Sequence, residues 1–131
     1  FTEPQATALK MNGAHVLASS TEYGIKGGTI LFSDDTVAER STDITAFYRA
    51  YNKAVDYMNT ADPAEYSSIL KDYNFPETMG DYLTNKEEDY NKAAIVTKEQ
   101  YDSIEKWTKA KEMISKEYTY EDLTDFSMLE E

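Results

Sequence analysis

Between residues 42 and 59 the sequence TDITAFYRAYNKAVDYMN sets Ile44, Phe47, Tyr48, Tyr51, Ala54, Val55 and Met58 at the spacing of one helical face. Ser41, Thr42 and Asp43 place hydroxyl and carboxylate acceptors where the first turn of such a helix leaves backbone donors unpaired. No Gly or Pro interrupts the following turns, so this is the element around which the rest of the chain is expected to pack. Burying its larger side chains at ~1.5 to 3 kcal/mol each would contribute on the order of 10 kcal/mol, an upper bound.

The pattern upstream is shorter and less regular. Thr2-Glu3-Pro4-Gln5 reads as a helix start, with a T-x-x-Q capping pattern and a proline in the first turn, and Gly13 marks its stop. Residues 14–20, AHVLASS, alternate weakly and predict a strand. Residues 21–28, TEYGIKGG, hold three of the five glycines and predict a loop or hinge; their spacing matches neither a P-loop nor a G-x-G-x-x-G fingerprint. Residues 29–32, TILF, predict a short buried strand, and SDDTVAERS then leads through a short helical turn into the central helix.

Downstream, starts and stops are clearer. Asp62-Pro63-Ala64-Glu65 supplies a carboxylate cap, a first-turn proline and an acidic third residue ahead of Tyr66, Ile69, Leu70 and Tyr73. Asn74-Phe75-Pro76-Glu77 repeats that signal before Met79, Tyr82 and Leu83. Residues 85–91 are polar and predict a solvated loop; Ala94 stands where a calcium-binding EF-hand loop needs glycine. After the short apolar run that ends at Val96, Thr97-Lys98-Glu99-Gln100 is a capping box for a helix with Tyr101, Ile104, Trp107, Thr108 and Ile114 on one side. Trp107 is expected to pack there against a sheet. Thr119-Tyr120-Glu121-Asp122 caps a brief closing helix with Leu123 and Phe126, and Glu130 and Glu131 are expected to fray.

Composition narrows the chemistry. The 131 residues are enough for one globular domain, and 40% hydrophobic residues with 13% aromatics is far from a disordered composition. A net charge of -12 repels phosphate backbones and anionic headgroups, so no nucleic-acid partner is expected. No apolar run approaches the ~20 residues needed to span a bilayer. The absence of Cys excludes disulfides, thiol catalysis and Cys-ligated zinc. With His15 the single histidine, there is no Ser-His-Asp, Cys-His or His-based metal constellation, and no cofactor is expected. Phe1 is not an initiator methionine and runs straight into Thr2-Glu3-Pro4, as though a strand had been cut upstream, so the sequence reads as a fragment.

Three stretches, in order, resemble the C-terminal part of the substrate-binding proteins of ABC importers, in the group of sulfonate, nitrate and thiamine-pyrimidine binders. They are FTEPQATALKMNGAHVLASS, TILFSDDTVAERSTDITAFYRAYNKAVDYMN, and VTKEQYDSIEKWTKAKEMISKEYTYEDLTDFSML. The first resembles that family's strand and EP-type helix start, the second its strand and long AFYRAYNKAV helix, the third its closing helix and YTYEDL tail.

The resemblance implies an α/β class: a helix-rich fragment of a two-lobe, periplasmic-binding-protein-like fold with few short strands and five to six helices. It implies that residues 1–20 finish a distal lobe, residues 21–28 cross the hinge, and residues 29–131 belong to the proximal lobe. It further implies a non-enzymatic protein that captures a small polar solute, a pyrimidine, sulfonate or similar, and delivers it to the permease subunits of an ABC importer. Such a protein works outside the cytoplasm, in the periplasm or as a cell-surface lipoprotein of a Gram-positive bacterium. By the match, Thr2 and Glu3 at the helix start face the ligand, while Tyr23 supplies an aromatic wall and Gly24 close backbone approach. An enzyme like the fungal pyrimidine-synthesis relatives would need a reactive His or metal cluster, and His15 alone does not supply one. The rival expectation is a protein-interaction module presenting an acidic helical surface, and the isolated piece is expected to self-associate.

Overall fold

In the computed structural model, which describes residues 1–3, 5–23, 28–73, 75, 78–86 and 89–129, six α-helices account for the regular structure. They are α1 (Gln5–Met11), α2 (Asp34–Thr60), α3 (Pro63–Asp72), α4 (Thr78–Asn85), α5 (Lys98–Ala110) and α6 (Tyr120–Leu123), with a single 3-10 turn at Thr21–Tyr23. Among the described residues there is no strand, which overturns the α/β expectation. Residues 14–18 and 29–32 are non-helical, but among the described residues no second segment forms a backbone ladder with either. Strand propensity sets the local conformation, whereas a strand exists only where a second backbone completes the ladder.

The helix starts follow local chemistry. Ser33 Oγ accepts from the backbone N–H of Thr36, and Asp34 and Asp35 occupy the positive end of α2. Arg40, at φ -133° and ψ 31°, breaks the helical geometry inside α2, so the separate helical turn expected ahead of Thr42 exists as a kink. Arg40 Nε reaches Asp43 Oδ2 across it at 2.8 Å, an exposed ion pair worth little by itself. Asp62 caps α3 by accepting from Ala64 N–H at 2.9 Å, with Pro63 in the first turn. Thr97 and Gln100 form a reciprocal capping box on α5, as Thr119 and Asp122 do on α6. The end of α1 is closed by Gly13 at φ +91°, with Gly13 N–H bonded to Lys10 C=O and Ala14 N–H to Leu9 C=O. Pro4, Gly24, Asn74, Pro76, Glu77, Glu130 and Glu131, on which further expectations rest, lie outside the described residues.

The chain forms two compact units. The first comprises Phe1–Gly28 and Lys53–Lys92; in it α4 packs on α1 and α3 and buries Leu83, while Val55 and Tyr66 are buried with it. The Tyr66 hydroxyl donates to Met58 C=O at 3.2 Å, and the Tyr57 and Tyr66 rings meet edge to face. The second unit comprises Thr29–Asn52 and Ala93–Glu131. Its buried apolar residues are Ile44 and Met128, and Phe32, Phe47, Tyr48 and Tyr51 form a chain of ring contacts along α2.

Several residues expected in the core are exposed. Phe47 and Tyr51 keep over a third of their surface in water, so α2 buries less than its full apolar face. Trp107 is 55% exposed and Ile104 61%, and among the described residues no sheet lies against α5 to cover them. The packed role expected for Trp107 is therefore overturned.

Candidate functional site

Thr2, Glu3 and Tyr23 all belong to the first unit, and each is exposed. Thr2 C=O accepts from Ala6 N–H, and Glu3 Oε2 accepts from Thr7 N–H at 3.1 Å, so both residues satisfy donors of the first turn of α1. A carboxylate there also complements the positive end of the helix. Tyr23 ends the 3-10 turn with 69% of its surface in water.

The same unit holds a feature that local sequence patterns do not reveal. The Tyr90 hydroxyl is sealed from solvent and meets no hydrogen-bond partner of good geometry among the described residues; its one weak hydrogen-bonding neighbour is the Tyr82 phenol. Burial drives its pKa far above the ordinary phenol range, with the Tyr82 phenol, by charge and by hydrogen bonding, and then the Tyr66 phenol and the Glu3 carboxylate pushing in the same direction. Glu3 is thus in electrostatic reach of a sealed hydroxyl in its own unit. The backbone of Tyr90 is fixed by Asn59, whose Oδ1 accepts from Tyr90 N–H and whose Nδ2 donates to Tyr90 C=O, both at 2.9 Å. Lys86 Nζ stands 4.8 Å from the centre of the Tyr90 ring, a cation over its π face. A clue was present in the density of tyrosines, 11 in the chain, but their meeting depends on contacts among segments far apart in sequence.

Each unit also carries an open groove. In the second unit, Ser41, Thr42, Thr45 and Arg49 of α2 with Ser127 and Met128 border one of about 430 Å³. Its hydroxyls and guanidinium suit an anionic or hydrogen-bonding solute. In the first unit, Ser67, Lys71, Phe75 and Met79 border another of about 230 Å³. Neither groove includes Thr2, Glu3 or Tyr23. Among the described residues no group of three or more His, Cys, Asp and Glu side chains converges as a metal site would require, and no helix is long and apolar enough to cross a membrane. Comparison with known protein families, curated proteins and solved structures found no match.

Proposed function

We propose that this chain serves as a substrate-binding component of an ABC importer, capturing a small polar solute outside the cytoplasm and passing it to the membrane permease. The observation that carries this reading is the ordered series of three family-like stretches in the sequence; α1 follows Thr2-Glu3, AFYRAYNKAV lies within α2, and capping boxes open α5 and YEDL. The reading rests on sequence order, since the strands that the family would imply are not formed among the described residues. Thr2, Glu3 and Tyr23, with Gly24, are the residues assigned to the solute. The role is non-enzymatic and needs no cofactor. Pyrimidines and sulfonates are the solute classes to try first.

A second reading, a protein-interaction module, is favoured by one observation. A chain with net charge -12 exposes Leu17, Leu31, Ile104, Trp107 and Met113, all large apolar side chains more than half in water. Calorimetric titration of the full gene product with pyrimidines, alkylsulfonates and other small polar solutes separates the two. Saturable heat for one class supports transport; silence across all of them transfers the assignment to the interaction module.

A further inference from the structure

We propose that Asn12 is a site of spontaneous covalent modification, at which the backbone nitrogen of Gly13 attacks the side-chain amide carbon of Asn12. A bond forms between that nitrogen and Asn12 Cγ, the Cγ–Nδ2 bond breaks, and Nδ2 leaves as ammonia with the proton that Gly13 N gives up. The product is a cyclic succinimide. Water then adds to one of its carbonyls and the ring opens, restoring Gly13 N–H and leaving aspartate or isoaspartate, the latter with the main chain running through the side-chain carbonyl. The balance needs only water.

Sequence and backbone select this residue. Among the asparagines of the chain only Asn12 precedes glycine; at the others Lys, Thr or Phe follows, and a Cβ there crowds the nitrogen's approach to the side chain. No heavy atom lies within 4 Å of where a Cβ on Gly13 would stand, so neighbouring elements leave the junction open. Asn12 and Gly13 are both exposed, and water reaches the ring. Asn52 and Asn59 are held differently: Asn52 Oδ1 accepts from Ala93 N–H, and Asn59 bonds the backbone of Tyr90 at both its N–H and its C=O. The bonds at Asn12 stay within one helix end. Its Nδ2 donates to Ala8 C=O at 2.7 Å, and Gly13 N–H donates to Lys10 C=O at 2.9 Å. Both fasten the exposed end of a 7-residue helix with no buried residue, where local opening costs little. The fold therefore slows the attack without preventing it.

The products unfasten that end. Aspartate has no proton to donate to Ala8 C=O, and it sets a carboxylate at the negative pole of α1. Isoaspartate lengthens the main chain by a methylene, which carries Gly13 and Ala14 out of register with the Lys10 and Leu9 carbonyls that they bond. Either product adds negative charge to a chain already at -12.

Ageing the full chain at mildly alkaline pH and physiological temperature tests this, with Asn12→Gln and wild type unfolded in urea alongside. Peptide mapping by mass spectrometry reads the amide-to-acid change residue by residue, and enzymatic methylation of isoaspartate identifies the rearranged product. Folded wild type should convert at Asn12 and release ammonia in equal amount, with isoaspartate among the products, while Asn52 and Asn59 keep their amides. The unfolded chain should convert about tenfold faster, the factor set by breaking the local bonds. Asn12→Gln should not convert, since its longer side chain closes a larger and slower ring. In the isoaspartate form, separated by anion exchange, the Gly13 and Ala14 amides should exchange with solvent faster than in wild type. An Asn12 amide that persists in the folded chain, or conversion spread evenly over the asparagines, overturns the proposal. Unchanged protection of Gly13 and Ala14 in the isoaspartate form overturns the opening of α1.

Discussion

The side-chain amide of Asn59 grips the backbone of Tyr90 at both its N–H and its C=O, each at 2.9 Å, across 31 residues of sequence. An amide side chain is the group suited to this, because it carries a donor and an acceptor at the spacing of the peptide it replaces. Asn59→Ala leaves two part-buried backbone groups without partners and should cost about 2 to 3 kcal/mol in urea denaturation. Asn59→Asp keeps the acceptor but cannot donate to the carbonyl, so it should recover only part of that loss. Equal stability of Asn59→Ala and wild type would show that the grip carries no energy.

The Tyr90 hydroxyl makes a contrasting prediction. A sealed hydroxyl whose one weak partner is the Tyr82 phenol gains little against its desolvation cost, so Tyr90→Phe should lie within about 1 kcal/mol of wild type. Its pKa is raised by burial, so the folded state holds the phenol proton where the unfolded state has lost it. Stability from this group is complete below the ordinary phenol pKa of about 10 and falls as pH rises above it. Alkaline denaturation of Tyr90→Phe should therefore be shallower than that of wild type. A loss of more than about 1.5 kcal/mol would mean that the bond to Tyr82 is a strong one.

Trp107, the single tryptophan, stands mostly in water on a helix with no buried residue. Trp107→Ala should cost less than about 1 kcal/mol, as surface substitutions do. Emission of the wild type should be that of a solvated indole, open to quenching by iodide. A loss of about 3 kcal/mol or more would return Trp107 to a packed site.

Glu3 separates capping from recognition. Gln at this position still offers Thr7 N–H an acceptor, so Glu3→Gln should cost only a few tenths to about 1 kcal/mol of stability. A carboxylate that also accepts from a bound solute loses a charge-assisted bond, and affinity for that solute should fall tenfold to a hundredfold. Unchanged affinity for a confirmed solute would limit Glu3 to the helix end.

What could be read from the sequence was whatever is decided within four residues. The starts of α3, α5 and α6 are such features, since Asp62, Thr97 and Thr119 each bond a backbone donor two or three residues ahead. The predicted strands failed for the opposite reason: TILF specifies its own conformation but not the second backbone a ladder needs. Trp107 and Ile104 share a helical face, which periodicity reports correctly, yet periodicity is silent on whether anything covers that face. In the candidate site, Thr2 and Glu3 were legible as a helix start, whereas the Asn59 grip on Tyr90 joins segments too distant for any local pattern.

Tyrosine hydroxyls also close loops in this chain: Tyr66 onto Met58 C=O, Tyr101 onto Tyr118 C=O and Tyr120 onto Val96 C=O. A carbonyl can only accept, so each closure needs the phenolic proton, and phenylalanine would fill the same space without fastening anything. Selection should treat these positions unequally. Among homologous sequences, drift from tyrosine to phenylalanine should be resisted at 66, 101 and 120 and tolerated at 90, so a modest alignment would reveal which rings act as latches and which only as filling.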